Sequence, residues 1–171
     1  MTNTSEALHD DQESAPGFFG YTDVVSYILG ITFEIWEQRQ IDTILDYYGE
    51  DIEVYSLEGI THCARQMVAG TRATLAAFPD RQLLGDDIIW SGDLKRGFSS
   101  HRITSPMTNL GETIFGPATG KKVRTMNIAD CEINNGQITG EWLFRDNLAL
   151  VTQLGFDRAT AAQSIANRID D

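Results

Sequence analysis

The alternation of apolar and polar positions divides the chain into helices first and strands afterwards. Between Tyr21 and Gln38, Val24, Tyr27, Ile28, Ile31, Ile35 and Trp36 recur at helical spacing, predicting an amphipathic helix that runs through Gly30. Ile41, Ile44, Leu45 and Tyr48 predict a second, shorter helix over Gln40–Tyr48, ended by Gly49. Asp51 to Leu57 alternates as a first strand, and Glu58 to His62 turns the chain. A third helix is expected from Cys63 to about Phe78, closed by Pro79. Beyond it the texture is that of strands: Gln82–Trp90, Lys95–Thr104, a short Glu112–Phe115, Lys122–Ile133 and Gln137–Arg145. Leu148, Leu150, Val151 and Leu154 mark a short helix capped by Gly155, and Ala159–Ile169 reads as a last one.

Asn134-Asn135-Gly136 is the strongest local signal, because Asn-Gly supplies the positive φ angles of a tight hairpin turn. With Asn135 and Gly136 in the loop, Ile133 faces Ile138, Ala129 faces Trp142, Asn127 faces Phe144 and Thr125 faces Asp146. That register puts Trp142, Phe144 and Asp146 on the face shared by Thr125, Asn127, Ala129, Cys131 and Ile133. It sets Asp130 opposite Glu141 on the other face, where the two need Arg or Lys partners such as Arg102 or Arg124. Helices followed by antiparallel strands make an α+β fold, a curved sheet covering helices with a pocket at its open end.

Composition narrows the functional classes. At 171 residues, with 42% hydrophobic and 22% charged positions, the chain is expected to form one domain with its own core. The expected division is an acidic arm over residues 1–16, a domain over 17–156 and a helical extension over 157–171. The net charge of −12 argues against nucleic acid and against a basic membrane-surface helix. No apolar run approaches the ~20 residues of a membrane span, and the start lacks the basic-then-apolar pattern of a signal peptide. The two cysteines, Cys63 and Cys131, fit neither a zinc spacing nor a redox pair, so a cytoplasmic location is expected and Cys131 reads as a buried thiol.

Asp146 draws attention as a carboxylate at a strand end in line with two aromatics, where an apolar wall raises a pKa and suits it to proton transfer. The same residue also fits a helix N-cap, and a cap accepting backbone N–H groups shifts its pKa the opposite way. His101, on a polar strand, is the histidine best placed for acid/base duty, and a structural role stands beside that reading. Asn127 is a candidate to hold a substrate carbonyl. Trp90, Tyr55, Tyr27, Trp142 and Phe144 are candidates to line a pocket for a cyclic ligand, with His62 at its rim. The scattered histidines form no metal site.

Phe78-Pro79-Asp80, Gly111…Phe115-Gly116-Pro117-x-x-Gly120, Asn135-Gly136-x-Ile138-x-x-x-Trp142 and Asp146…Gln153-Leu154-Gly155 together resemble the SnoaL-like polyketide cyclases of the nuclear transport factor 2-like superfamily. The resemblance spans roughly Tyr21 to Phe156. It implies a cone-shaped α+β barrel, cystatin-like in class, with three N-terminal helices packed in a curved, mostly antiparallel sheet. It also implies a homodimer through the outer face of that sheet. In function it implies an intramolecular aldol closure driven by one acid near the end of the last strand, without metal or organic cofactor. Asp146 stands at that position. The cyclases also use a histidine on the preceding strand, and none lies between Lys121 and Ile133. Positions aligned with the ketosteroid isomerase base and donors carry Ser56, Ala129 and Thr32, which cannot supply that chemistry. Arg145 and Asp146 echo the charge pair of limonene epoxide hydrolases, but strand neighbours point to opposite faces.

The expected function is therefore cofactor-independent acid/base chemistry alpha to a carbonyl of a small, largely apolar, oxygenated substrate: aldol cyclisation, or a related lyase or isomerase step. A binding domain without catalysis, an epoxide hydrolase-like hydrolase and a purely dimerising domain with a plugged cone stand as alternatives.

Overall fold

The computed structural model describes residues 19–169. Its elements are α1 (Val24–Trp36), α2 (Ile44–Tyr47), β1 (Tyr48–Ser56), β2 (Gly59–Thr61), α3 (Ala64–Ala77), β3 (Leu84–Gly92), β4 (Arg96–Thr108), β5 (Lys122–Asn134), β6 (Gln137–Arg145), α4 (Asn147–Leu154) and α5 (Arg158–Ile169). The strands form one six-stranded sheet in the order β2-β1-β6-β5-β4-β3. Only β1 and β6 run parallel; every other neighbour is antiparallel. This is the α+β architecture that the apolar pattern and the family resemblance imply.

The predicted stripe of α1 supplies the core: Val24, Tyr27, Ile28, Ile31 and Ile35 are buried against Ile52, Val54, Ile133 and Ile138 of the sheet. Asp23 caps α1 by accepting from Ser26 N at 2.8 Å. A smaller apolar cluster, with Phe78, Met107, Val123, Leu150 and Leu154, closes the other end of the sheet. Among the described residues no helix is long and apolar enough to cross a membrane.

Gly59–Thr61, expected as part of a turn, forms the edge strand β2 against β1, and three further expectations need correction. The second helix stops at Tyr47, and Gly49 lies inside β1, because Tyr48 already pairs with Ile138 of β6. Long-range pairing overrides the local helical spacing there. Glu112–Phe115 is not a strand but a turn, closed by a bridge between Thr113 and Gly116. The expected arm over residues 1–16 lies outside the described residues.

The third correction decides the site. The hairpin starts as expected, with Asn134 opposite Gln137 and Ile133 opposite Ile138, but the next pair is Glu132 with Gly140. Thr139 is thus an extra residue on β6, a β-bulge that turns the rest of the strand over. Asp130 then faces Trp142, Ile128 faces Phe144, and Asn127 faces Arg145. Glu141, Leu143 and Arg145 point inward, while Trp142 and Phe144 stand exposed on the outer face. Asp130 and Glu141, expected to face each other, lie on opposite faces. Neither forms an ion pair with Arg102 or Arg124.

Candidate functional site

The register sets the inner face of the sheet out in rows. Ser99, Cys131 and Glu141 form one row, His101, Ala129 and Leu143 the next, and Ile103, Asn127 and Arg145 the third. At about 3.3 Å per residue, the rows of Glu141 and Asn127 are about 13 Å apart, with His101 between them. Helices α1 and α3 roof these rows but do not fill the space. A chamber of about 280 Å³ carries Glu141, His101 and Asn127 in its wall. An adjoining chamber of about 490 Å³ extends toward Phe78, Phe115 and Leu150. Arg81, Asn127, Arg145 and Glu58 line both.

Glu141 is 6% exposed, and its Oε2 has no hydrogen-bond partner among the described residues. Burial raises its carboxyl to about 7, against the opposing pull of Arg145 and of the neighbouring Tyr48 hydroxyl. Near neutrality it therefore divides between acid and base. The same enclosure drives the Tyr48 phenol and the Cys131 thiol well above their ordinary ranges, so both stay protonated. His101 is 2% exposed, with Nε2 unpartnered among the described residues. Burial pushes its pKa down against a weaker opposing influence of Asp86, which keeps the ring neutral at pH 7. Room for the ring comes from Gly85 on β3: a Cβ there would lie 2.7 Å from His101 Nε2 and 2.8 Å from Leu29 Cδ2.

Cations gather at the other end. Arg145 Nη1 donates to Glu58 at 3.1 Å, and Asn147 Nδ2 donates to the second Glu58 oxygen at 3.1 Å. Arg81 is positioned by its neighbours. Asp80 accepts from Thr108 N and Oγ1, both at 2.6 Å, and Gln82 N donates to Pro106 O at 3.2 Å. Between these anchors the Arg81 side chain is buried, its guanidinium 4.9 Å above the Trp36 ring and its Nε donating to Ser105 Oγ at 3.0 Å. Burial first, then the nearby Arg145, pulls it down to about 9, which leaves it charged at pH 7. Asn127 is 2% exposed, and among the described residues neither its Oδ1 nor its Nδ2 finds a partner.

Of the residues singled out in the sequence, the fold brings His101 and Asn127 together in one chamber. Asp146 lines neither chamber: it is exposed and caps α4, accepting from Ala149 N at 2.9 Å. Trp142 and Tyr55 stack on each other on the outer face, their ring centroids 5.9 Å apart, and Phe144 is exposed beside them. Trp90 is exposed on the edge strand β3. Tyr27 is a core residue with no exposure, donating to Gly136 O at 2.8 Å. His62 sits at the surface, 3.5 Å from Glu53. Among the described residues no cluster of His, Cys, Asp or Glu is arranged to hold a metal. The pattern missed Glu141, Arg145, Glu58 and Arg81. Gly140 in mid-strand was the available signal for the bulge that turns the first two inward; nothing local marked Arg81.

A sequence model of the SnoaL-like polyketide cyclase family matches residues 27–154. No curated protein matches the sequence. Among solved structures, AclR from Streptomyces galilaeus, described as a candidate hydroxylase, superposes with a TM-score of 0.66 at 24% identity, over 77% of this chain and 94% of that one. IdmH from Streptomyces antibioticus, described as a candidate polyketide cyclase, gives 0.65 at 21%, over 77% and 97%. A candidate SnoaL-like polyketide cyclase from Jannaschia sp. CCS1 gives 0.68 at 16%, over 76% and 90%. At these identities the structural likeness establishes the fold.

Proposed function

The chain belongs to the SnoaL-like polyketide cyclase family, and from that premise we propose that it is a cofactor-independent acid/base enzyme acting alpha to a carbonyl, by aldol cyclisation or a related lyase or isomerase step. One observation carries the reading: Glu141, a buried carboxyl with a free oxygen and a pKa near 7, in the wall of an unfilled chamber. Its carboxylate takes the α-proton of the substrate. The resulting enolate oxygen lies toward the next row, where neutral His101 is the hydrogen-bonding group. In the cyclisation the enolate carbon bonds to a second carbonyl carbon, and that alkoxide recovers the proton from Glu141. The proton count balances without an external reductant or oxidant.

The test uses 2-tetralone in deuterium oxide, following exchange of its α-protons by NMR. Exchange is expected with the native protein and a loss of about 10²–10⁴ in rate with Glu141→Gln. Equal rates, or no exchange by the native protein, overturn the reading.

The working unit is proposed to be a homodimer formed through the outer face of the sheet, in the cytoplasm, where its two unpaired cysteines stay reduced. Phe98, Met126, Ile128, Trp142 and Phe144 are exposed on that face, an apolar surface of the kind that marks a protein contact.

A further inference from the structure

Arg81 poses a question that the proton chemistry leaves unanswered. A guanidinium with little exposure ordinarily meets a carboxylate, because burying a charge without a partner is costly. Among the described residues the only hydrogen bond of its side chain is the one from Nε to Ser105, and it forms no ion pair. The acid nearest in role, Glu58, is already taken at both oxygens by Arg145 and Asn147. The two Nη groups are thus uncommitted, on a residue that lines both chambers. Asn127, 2% exposed, lines the same two chambers, and its whole amide is unpartnered among the described residues. A free planar fork of donors beside a free amide fits a planar oxyanion, which guanidinium groups bind through two parallel N–H bonds.

We propose that Arg81 and Asn127 form an anchor for a carboxylate of the substrate, so that an oxygenated carboxylic acid is bound in preference to a neutral ketone or ester, which the chamber still admits without the anchor. This rests on reading the chamber as the substrate site. The charge balance selects a monoanion: Glu58 already offsets Arg145, so one uncompensated positive charge remains, and a phosphate dianion meets Glu58 as a repulsive neighbour. The rows add a length requirement. With the carboxylate held in the Asn127 row and the reacting carbon at Glu141, the molecule spans about 13 Å of strand, the reach of a fused-ring or extended polycarbonyl acid. Two fixed ends would also set which α-carbon meets Glu141.

Calorimetric titration of the native protein with 2-naphthoic acid, its methyl ester and 2-naphthyl phosphate at pH 7.5 tests the anchor without needing turnover. The acid is expected to bind about ten- to a hundredfold more tightly than the ester, and more tightly than the phosphate. Arg81→Met, which keeps an unbranched chain over Trp36, is expected to erase that preference while its ester affinity stays within about threefold. Equal binding of acid and ester, no binding of either, or a preference surviving in Arg81→Met overturns the proposal; a phosphate preference overturns the carboxylate assignment. The native acid-to-ester ratio decides even if the variant fails to fold. Acid preference without tetralone exchange leaves the anchor and sinks the acid/base reading; exchange without acid preference does the reverse.

Discussion

Glu141 and Asp146 lie five positions apart and have opposite surroundings, so substitutions at the two separate cleanly. Glu141 has a folded pKa of about 7 against an ordinary 4.5. The folded state therefore holds the proton more tightly, and its contribution to stability is full below about pH 4.5. It is lost as pH rises from there to about 7, by about 3 kcal/mol at most, and is flat above. Urea unfolding at pH 5 and pH 8 should show a larger loss in the native protein than in Glu141→Gln, whose amide does not titrate. The difference between the two proteins isolates this group from the general repulsion of an acidic chain. Asp146→Ala should cost about 1 kcal/mol through the lost cap of α4, while Asp146→Asn, an equally good cap, should cost little. Tetralone exchange should persist in Asp146→Asn. A loss of several orders of magnitude would return the proton-carrying role to Asp146.

At the scale of elements, one unpaired residue on β6 determines which side chains reach the chamber. Deleting Thr139 would remove the bulge yet leave Gly140 opposite Glu132 and Glu141 opposite Cys131, so Glu141, Leu143 and Arg145 should keep their inward direction. The expected result is a cooperatively folding protein that keeps tetralone exchange and is less stable by about 0.5–3 kcal/mol, because the pairing of β6 with β1 shifts at the same point and is disturbed. Circular dichroism under denaturant and the exchange assay check this; a deletion variant that folds but has lost exchange would show that the bulge itself positions Glu141. Gly85 acts in the same way on β3. A Cβ at that position meets both His101 and Leu29, so Gly85→Val should displace the imidazole and lower exchange activity more than it lowers the melting temperature.

Across the whole molecule the sheet is apolar on both faces, though for different reasons. Its inner face meets α1, whereas its outer face leaves Met126, Phe144 and Trp142 open to solvent. If a second copy covers that face, Met126→Glu with Phe144→Glu should convert dimer to monomer at micromolar concentration in light scattering after size exclusion. Tetralone exchange per chain should change little, since neither side chain lines a chamber. A native protein that is monomeric at high concentration would overturn the dimer.

Local signals in the chain fix most of the elements and their order, because a buried helical stripe such as Val24–Ile35 and an Asn-Gly turn are read without long-range contacts. Its motifs also carried the family, and with it the fold. The chamber was legible only in part. His101 and Asn127 stand on strands whose alternation runs unbroken from Arg96 to Thr108 and from Lys122 to Asn134, so their inward direction follows from period two alone. Glu141 and Arg145 lie beyond a bulge, and Trp142 and Phe144 supplied an equally apolar alternative face, so hydrophobicity could not choose between the two registers. Arg81 is brought to the site by contacts between residues far apart in the chain, Asp80 with Thr108 and Gln82 with Pro106. Only the folded structure decides which charges are buried, because burial and pairing are properties of neighbours that the chain brings together in space.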